Sequence, residues 1–117
     1  VTGKRPLVNR TPYATTKMGI IGFTRTLAAE VGADDVNVNA VCPGSVDGPR
    51  ITRVFEKQAE ATGRTYDAVR GDVEAESPRN ELVAREDVAD LVAFLCSDRA
   101  DRITGQDINV SAGKVMY

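Results

Sequence analysis

The clearest chemical signal in the sequence is the pair Tyr13 and Lys17, four residues apart in the segment YATTK. Residues four apart in a helix share one face, about 40° apart around the axis. An ammonium beside a phenol favours the phenolate, so such a tyrosine can exchange a proton near neutral pH. The spacing predicts a general acid/base. The alternative is a chance surface pair, worth roughly a few tenths of a kcal/mol.

The residue types that are missing narrow the chemistry further. The chain contains no histidine, which excludes Ser-His-Asp and Cys-His mechanisms within it. Cys42 and Cys96 stand in apolar segments and are expected to be reduced core thiols of a cytoplasmic protein. Without histidine or a Cys-x-x-Cys pair, no metal site is expected.

A long helix is predicted to carry the Tyr-Lys pair. Apolar residues recur in steps of three and four from Tyr13 onward, and Gly32 is a plausible helix stop. Several small residues in this helix indicate that another element packs closely against it. They are Gly19, Gly22, Ala28 and Ala29.

Two strands and further helices follow. A buried strand is predicted over 36–42, closed by the Pro43-Gly44 turn. Residues 45–80 are less regular, with one or two short helices, and are typical of a mobile lid or a surface excursion. An amphipathic helix over 85–98 and a strand within 103–110 complete the chain.

The order of these elements predicts a parallel α/β sheet, because a strand, a long crossover and a second strand pair in parallel. Parallel strands are normally buried on both faces, and two short strands cannot form a stable sheet of this kind. A length of 117 residues allows one small domain. The strand number nevertheless indicates part of a domain.

Three sequence blocks resemble the C-terminal half of the short-chain dehydrogenase/reductase family. They are PYATTK, then VNAVCPG, then EDVADLVAFLCSD followed by ITGQDINV, and the resemblance runs from Tyr13 to about Gly113. It implies a doubly wound, three-layer α/β/α Rossmann-type fold that binds NAD or NADP. Residues 1–117 would be the C-terminal part of a single such domain, with 45–80 as its lid.

The resemblance also implies roles for five residues. Tyr13 would be the catalytic acid/base, and Lys17 would assist it and hydrogen-bond the nicotinamide ribose. Pro43 and Gly44 would shape the turn under the nicotinamide, although they also serve as an ordinary strand-ending turn. The backbone of Val46 would hold the cofactor carboxamide.

The sequence departs from the family pattern at several points. Gly48 stands where the family usually has a cofactor-contacting threonine, and Ser111-Ala112-Gly113 replaces an acid followed by two glycines. No glycine-rich phosphate loop is present. The family's catalytic serine, about thirteen residues before Tyr13, would precede Val1. Thr2 is two residues too close and is given no catalytic role.

The expected function is hydride transfer between a nicotinamide cofactor and an alcohol or carbonyl substrate, in a parent enzyme that is a homodimer or homotetramer. The chain alone is expected to be truncated and inactive. The alternative is a noncatalytic module that serves assembly. A net charge of −2 and the lack of a long apolar run argue against nucleic-acid and membrane partners. The lid contains four arginines, Arg50, Arg53, Arg64 and Arg70. They would either lie on a solvent-exposed helix face or contact an anionic substrate.

Overall fold

A computed structural model describes Val1 and residues 3–117 of the chain. Thr2, which carries no assigned role, lies outside the described residues. Four α-helices and two strands are present among the described residues. In order they are α1 (Thr11–Val31), β1 (Ala40–Pro43), α2 (Pro49–Thr62), α3 (Tyr66–Glu74), α4 (Arg85–Leu95) and β2 (Asp107–Val110).

The two strands pair in parallel, in a register that runs from Ala40 opposite Asp107 to Pro43 opposite Val110. Helices α2, α3 and α4 form the crossover between them. A parallel pair needs a crossover of this kind, because its strands run in the same direction. The parallel α/β arrangement predicted from the order of elements is therefore confirmed.

Strand β1 is shorter than the predicted range 36–42, because it begins at Ala40. The asparagines before it bind backbone groups through their side chains and do not extend the ladder. Asn37 Nδ2 donates to the Asp101 carbonyl at 2.9 Å, and Asn39 Nδ2 donates to the Ile103 carbonyl at 2.6 Å. Such side-chain bonds compete with regular strand pairing.

The buried apolar core is small for a chain of this length. The Cα radius of gyration is 16.4 Å, against about 13 Å for a compact domain of the same length. The described residues are therefore arranged more openly than a compact domain. The buried apolar residues are Ile21, Ala28, Ala40, Cys42, Phe55, Val69, Val83, Ala100 and Val115.

Helix α1 buries a narrower face than its periodicity predicts. Ile21 and Ala28 are buried, whereas Phe23 is 65% exposed. A Cβ built on Gly19 or Gly22 would meet no atom within 4 Å in the described structure. The close packing that these two glycines were expected to support is therefore absent among the described residues, because only one side of α1 faces the sheet.

The two cysteines differ in environment. Cys42 is buried in β1, as expected, but Cys96 is exposed. Cys96 follows the last residue of α4, a helix in which no residue is fully buried. The expectation of two core thiols is wrong for Cys96, since an apolar sequence context does not bury a residue without a second layer against it.

The described part of the chain shows neither a membrane-spanning helix nor a metal-binding cluster. Judged by length and hydropathy, none of its helices could span a bilayer. Within the same residues, no three histidine, cysteine, aspartate or glutamate side chains come together as a metal site would need.

An ion-pair cluster joins the N-terminal loop, α1 and β2. Lys4 Nζ lies 2.5 Å from one carboxylate oxygen of Asp107, and Arg25 Nη2 lies 2.7 Å from the other. The Lys4 side chain is only 7% exposed and also donates to Asn109 Oδ1 at 2.9 Å. Hydrogen bonds from Lys4, and then from Arg25, lower the pKa of Asp107 against the opposing effect of burial.

This cluster predicts a pH-dependent stability. Since folding lowers the pKa of Asp107, its contribution is present above the unfolded value of about 4 and is lost as pH falls through the lower folded value. We expect Asp107→Asn to lower the free energy of unfolding at pH 6 and to flatten its decrease between pH 5 and pH 2. Urea unfolding of the full-length protein across that range measures both effects.

Asp90→Asn is the matched control, because Asp90 lies exposed on α4 and has no ion pair among the described residues. An Asp107→Asn variant with the same pH slope as the unmodified protein would contradict the prediction.

Candidate active site

Tyr13 and Lys17 lie in the first two turns of α1, where Pro12 follows the first residue of the helix. Proline is well tolerated at a helix start because the first amide hydrogens have no partner within the helix. Tyr13 is 42% exposed, and Lys17 Nζ lies over its ring, 5.4 Å from the ring centroid. The structure thus places the ammonium beside the phenol, on the face that the four-residue spacing predicts.

The turn after β1 brings its backbone unusually close to the end of β2. The Gly44 amide donates to the Val110 carbonyl at 2.8 Å, which extends the ladder by one bond. A Cβ on Gly44 would lie 2.9 Å from Ser111 Cα, a distance that real Cβ atoms essentially never show. Glycine is therefore required here by close approach of two backbones.

Residues 45–47, which follow this turn, are held in place by backbone hydrogen bonds and form a shelf beside it. Val46 makes a parallel bridge with Val83, in which Val83 N donates to the Ser45 carbonyl at 2.9 Å and Asp47 N donates to the Val83 carbonyl at 2.8 Å. The bonds use the residues on either side of Val46. Its own amide and carbonyl form no hydrogen bond with any described residue.

All five residues singled out in the sequence line one cavity of about 760 Å³. This volume lies within the usual range for small-molecule sites, roughly 300–1,000 Å³. The structure therefore brings the helix start, the strand-ending turn and the shelf to one place. The five residues are Tyr13, Lys17, Pro43, Gly44 and Val46.

The cavity also has walls that sequence reasoning missed. Lys4, Lys114 and Arg85 line it, and they come from three separate segments, the N-terminal loop, the end of the chain and the start of α4. Lys114 Nζ donates to Ser45 Oγ at 3.1 Å, so it supports the shelf from the chain's last segment. No local motif marks these residues, because only the tertiary fold brings them to the cavity.

Glu76 anchors Lys114 and a residue of the N-terminal loop together. It lies 2.5 Å from Lys114 Nζ and 2.9 Å from Arg5 Nη1. Burial alone would raise the pKa of Glu76, but hydrogen bonds from Lys114 and Arg5 lower it overall. The carboxylate is therefore held ionised and pairs with both cations.

The segment expected to be a lid is attached to the shelf. Arg70 of α3 lies 3.0 Å from Asp47 Oδ2, and it also pairs with Glu74 at 2.7 Å. Phe55 of α2 and Tyr66 of α3 pack edge to face, with ring centroids 5.9 Å apart. Helices α2 and α3 thus form one packed unit whose ion pair reaches the cavity rim.

The four lid arginines separate into distinct environments. Arg64 pairs with Asp72 at 2.6 Å, and Arg70 makes the two ion pairs just described. Arg53 is exposed and does not line the cavity, whereas Arg50 does line it. Of the four, Arg50 is the one whose position fits a role in ligand binding.

The structure also describes Gly48, which stands where the family usually has a threonine. Its φ is +156°, a conformation that residues with a side chain rarely adopt. A Cβ there would lie 3.0 Å from Arg85 Nε. The arginine side chain therefore lies against the position where a threonine side chain would begin.

Comparison with known proteins places this geometry in a family. The family model described as "Enoyl-(Acyl carrier protein) reductase" matches residues 1–114. The (3R)-3-hydroxyacyl-CoA dehydrogenase of Rattus norvegicus is 36% identical over 116 residues, which are 99% of this chain and 40% of that protein. The first three curated relatives are likewise covered over only 42–44% of their length.

Solved structures agree with the sequence matches. A short chain dehydrogenase family protein from Francisella tularensis superposes with a TM-score of 0.92 and 30% identity, over 97% of this chain and 47% of that one. L-sorbose reductase from Gluconobacter frateurii, solved with NADPH and L-sorbose, superposes with a TM-score of 0.92 and 27% identity, over 100% of this chain and 45% of that one. The resemblance seen in the three sequence blocks is confirmed, and the chain belongs to the short-chain dehydrogenase/reductase family, with its Rossmann-type α/β fold.

Proposed function

We propose that the protein carrying this chain is an NAD(P)-dependent oxidoreductase that transfers a hydride between the cofactor and an alcohol or carbonyl. The observation that carries the proposal is the convergence of Tyr13, Lys17 and the Gly44 turn on one cavity. Family membership supports the reaction class, and the relative solved with NADPH supports the cofactor class.

The residues present fit a nicotinamide. A ring can approach the backbone closely where Gly44 has no side chain. The amide and carbonyl of Val46, which bind no described residue, match the acceptor and donor of a carboxamide. Pro43 and Gly44 would form the floor under the ring, while Lys17 would hydrogen-bond the ribose. When bound, the reduced nicotinamide supplies the hydride that adds to the carbonyl carbon.

Tyr13 would complete the reduction at the carbonyl oxygen. As the C=O double bond becomes a single bond, that oxygen takes the proton from Tyr13 Oη and an alcohol forms. Lys17, whose ammonium lies 5.4 Å from the ring centroid, would assist this transfer, and the phenolate left behind would regain a proton from solvent. In the oxidation direction, the same phenolate accepts the proton from the alcohol.

We also propose that residues 1–117 form the C-terminal part of a single NAD(P)-binding domain, with 45–80 as its lid. The open arrangement of the described residues and the coverage of its relatives support this proposal. The chain alone is then expected neither to bind cofactor tightly nor to turn over. Measurable dehydrogenase activity from the 117 residues alone would contradict this expectation.

The test of the activity uses the full-length protein with NADH or NADPH and a panel of ketones. The panel contains a 3-oxoacyl-CoA, because one relative is named for a 3-hydroxyacyl-CoA, and a ketose, because another is named for sorbose. Loss of the reduced-cofactor absorbance with one of these substrates supports the proposal. Cofactor binding without reduction of any ketone or oxidation of any alcohol would oppose it.

The alternative is a noncatalytic module that serves assembly, and the exposed apolar residues of α1 favour it. Met18, Ile20 and Phe23 are 53%, 48% and 65% exposed, as an interface between copies would provide. An assembly role does not require a Tyr-Lys pair in a cavity. The two functions are compatible in a homodimeric or homotetrameric enzyme, and the activity measurement separates the enzyme from a pure module.

A further inference from the structure

The cavity is lined by many more basic than acidic side chains. Asp47 is the one acidic residue among its described lining residues. A cavity with this imbalance favours anionic ligands. The basic residues are Lys4, Arg5, Lys17, Arg50, Arg85 and Lys114.

Half of these cations are already paired with carboxylates. Lys4 binds Asp107, and both Arg5 and Lys114 bind Glu76. These three basic residues are therefore held by carboxylates of the fold itself.

Among the described residues, the other three cations have no such partner. Lys17, Arg50 and Arg85 form no salt bridge with a described carboxylate. Asp47, the acidic residue of the described cavity lining, is bound to Arg70 at 3.0 Å. An anion that enters the cavity thus meets three cationic groups that form no ion pair with a described carboxylate. Lys17 already has a proposed role beside Tyr13, which leaves the two arginines unexplained.

The fold itself positions Arg85. Its Nε donates to the Asp47 carbonyl at 3.2 Å, and its Nη2 lies 3.2 Å from the point where a Cβ of Gly48 would be. The guanidinium therefore lies against the Gly48 backbone, in space that a side chain at position 48 would take. Its terminal nitrogens form no hydrogen bond with any described residue. Arg50 follows Gly48 by two residues, in the first turn of α2.

We propose that Arg85 and Arg50 together bind a phosphate group of the ligand held beside Tyr13 and Lys17. A guanidinium presents parallel N–H donors that match phosphate oxygens, and two cations balance the charge of a phosphate better than one. Gly48 contributes by leaving room for the Arg85 side chain. This proposal rests on the proposed reductase function, because it assumes that ligands of that reaction occupy the cavity.

The phosphate could come from either of two ligands of the reaction. The diphosphate of a nicotinamide cofactor is one source, and the phosphates of an acyl-CoA substrate are the other. A substrate pair separates them. Acetoacetyl-CoA and the N-acetylcysteamine thioester of acetoacetate carry the same ketone, but only the first has phosphates.

The experiment uses the full-length protein with Arg85→Gln, Arg50→Gln and the double variant. Arg53→Gln is the matched control, because Arg53 lies on the same helix as Arg50 but does not line the cavity. Circular dichroism and thermal melting check that each variant folds, and Arg85→Lys keeps the charge if Arg85→Gln does not fold. The readouts are the Kd of NADPH, by nicotinamide fluorescence, and the KM of each thioester.

We expect each single glutamine variant to weaken phosphate binding about tenfold, and the double variant to weaken it more. If the phosphate belongs to the cofactor, the Kd of NADPH rises and the two thioesters respond alike. If it belongs to the substrate, the KM of acetoacetyl-CoA rises and that of the phosphate-free thioester does not. Arg53→Gln should leave all three values unchanged.

Two results would overturn the proposal. One is an unchanged Kd and unchanged KM values in the double variant. The other is an equal rise of KM for both thioesters without any change in the Kd of NADPH, since the arginines would then act on something other than phosphate.

A direct binding measurement separates this proposal from the proposed function. Inorganic diphosphate is titrated into the full-length protein by calorimetry. If no ketone is reduced, but diphosphate binds and Arg85→Gln weakens that binding while Arg53→Gln does not, the reductase function fails and the anion site stands. If ketones are reduced but diphosphate binding and cofactor Kd are the same in all variants, the anion site fails and the reductase function stands.

Discussion

Replacing Tyr13 with phenylalanine is expected to lower kcat of the full-length protein by about 10² to 10⁴-fold, because a positioned acid/base contributes roughly that much. The change removes one oxygen and leaves the ring under Lys17 in place. Cofactor binding should weaken by less than about tenfold, since at most one hydrogen bond is lost. Steady-state reduction assays and fluorescence titration with NADPH measure the two effects separately.

Tyr117→Phe is the matched control for this prediction. Tyr117 is 74% exposed and does not line the cavity, and its hydroxyl donates one long hydrogen bond, 3.3 Å to the Lys4 carbonyl. We expect its kcat to stay within about twofold of the unmodified value, as for a surface substitution. A Tyr13→Phe variant that also keeps most of its kcat would show that another group delivers the proton.

Replacing Gly44 with alanine is the second prediction with a large expected effect. The new Cβ would lie 2.9 Å from Ser111 Cα and 3.2 Å from Ser111 Cβ, so the ends of β1 and β2 must move apart. We expect a loss of about 1–3 kcal/mol in the free energy of unfolding, as overpacking usually costs. Because the turn forms the cavity floor, kcat/KM should also fall, by about ten- to a hundredfold. Urea unfolding and reduction assays measure the two losses.

Gly71→Ala is the control for this prediction, because its expected change in the free energy of unfolding has the opposite sign. Gly71 lies within α3, and a Cβ there would meet nothing within 4 Å. Alanine is favoured over glycine in a helix by about 0.8–1.0 kcal/mol, so this variant should be more stable than the unmodified protein. Equal effects of the two substitutions would show that the close approach at Gly44 does not decide the stability.

Local geometry explains why much of the candidate site was predictable. Residues four apart face the same way in any helix, so the spacing of Tyr13 and Lys17 was sufficient to place them together. Pro43-Gly44 marks the end of a strand by turn chemistry alone. The order of the elements similarly predicts parallel pairing, because a long crossover allows it and a hairpin does not.

The wrong predictions concern which side chains are buried. Burial depends on how helices and sheets pack on one another, and not on the sequence of one segment alone. Phe23 and Cys96 stand in apolar surroundings along the sequence, yet both are exposed in the described structure. The start of β1 was placed too early for a related reason. The sequence pattern predicts Asn39 to be part of a strand. Its side chain instead donates a hydrogen bond to the Ile103 carbonyl, and the regular strand pairing begins only after it.

The sequence by itself determined the Tyr-Lys pair, the turn and the parallel α/β class, because helix periodicity, turn chemistry and element order act over short stretches of chain. Only the tertiary structure decided which distant groups share the cavity with them. Arg85 lies against Gly48, and Lys4 reaches Asp107 across 103 positions of the chain. No local pattern encodes such contacts, since they depend on how the crossover helices and the N-terminal loop pack against the two strands.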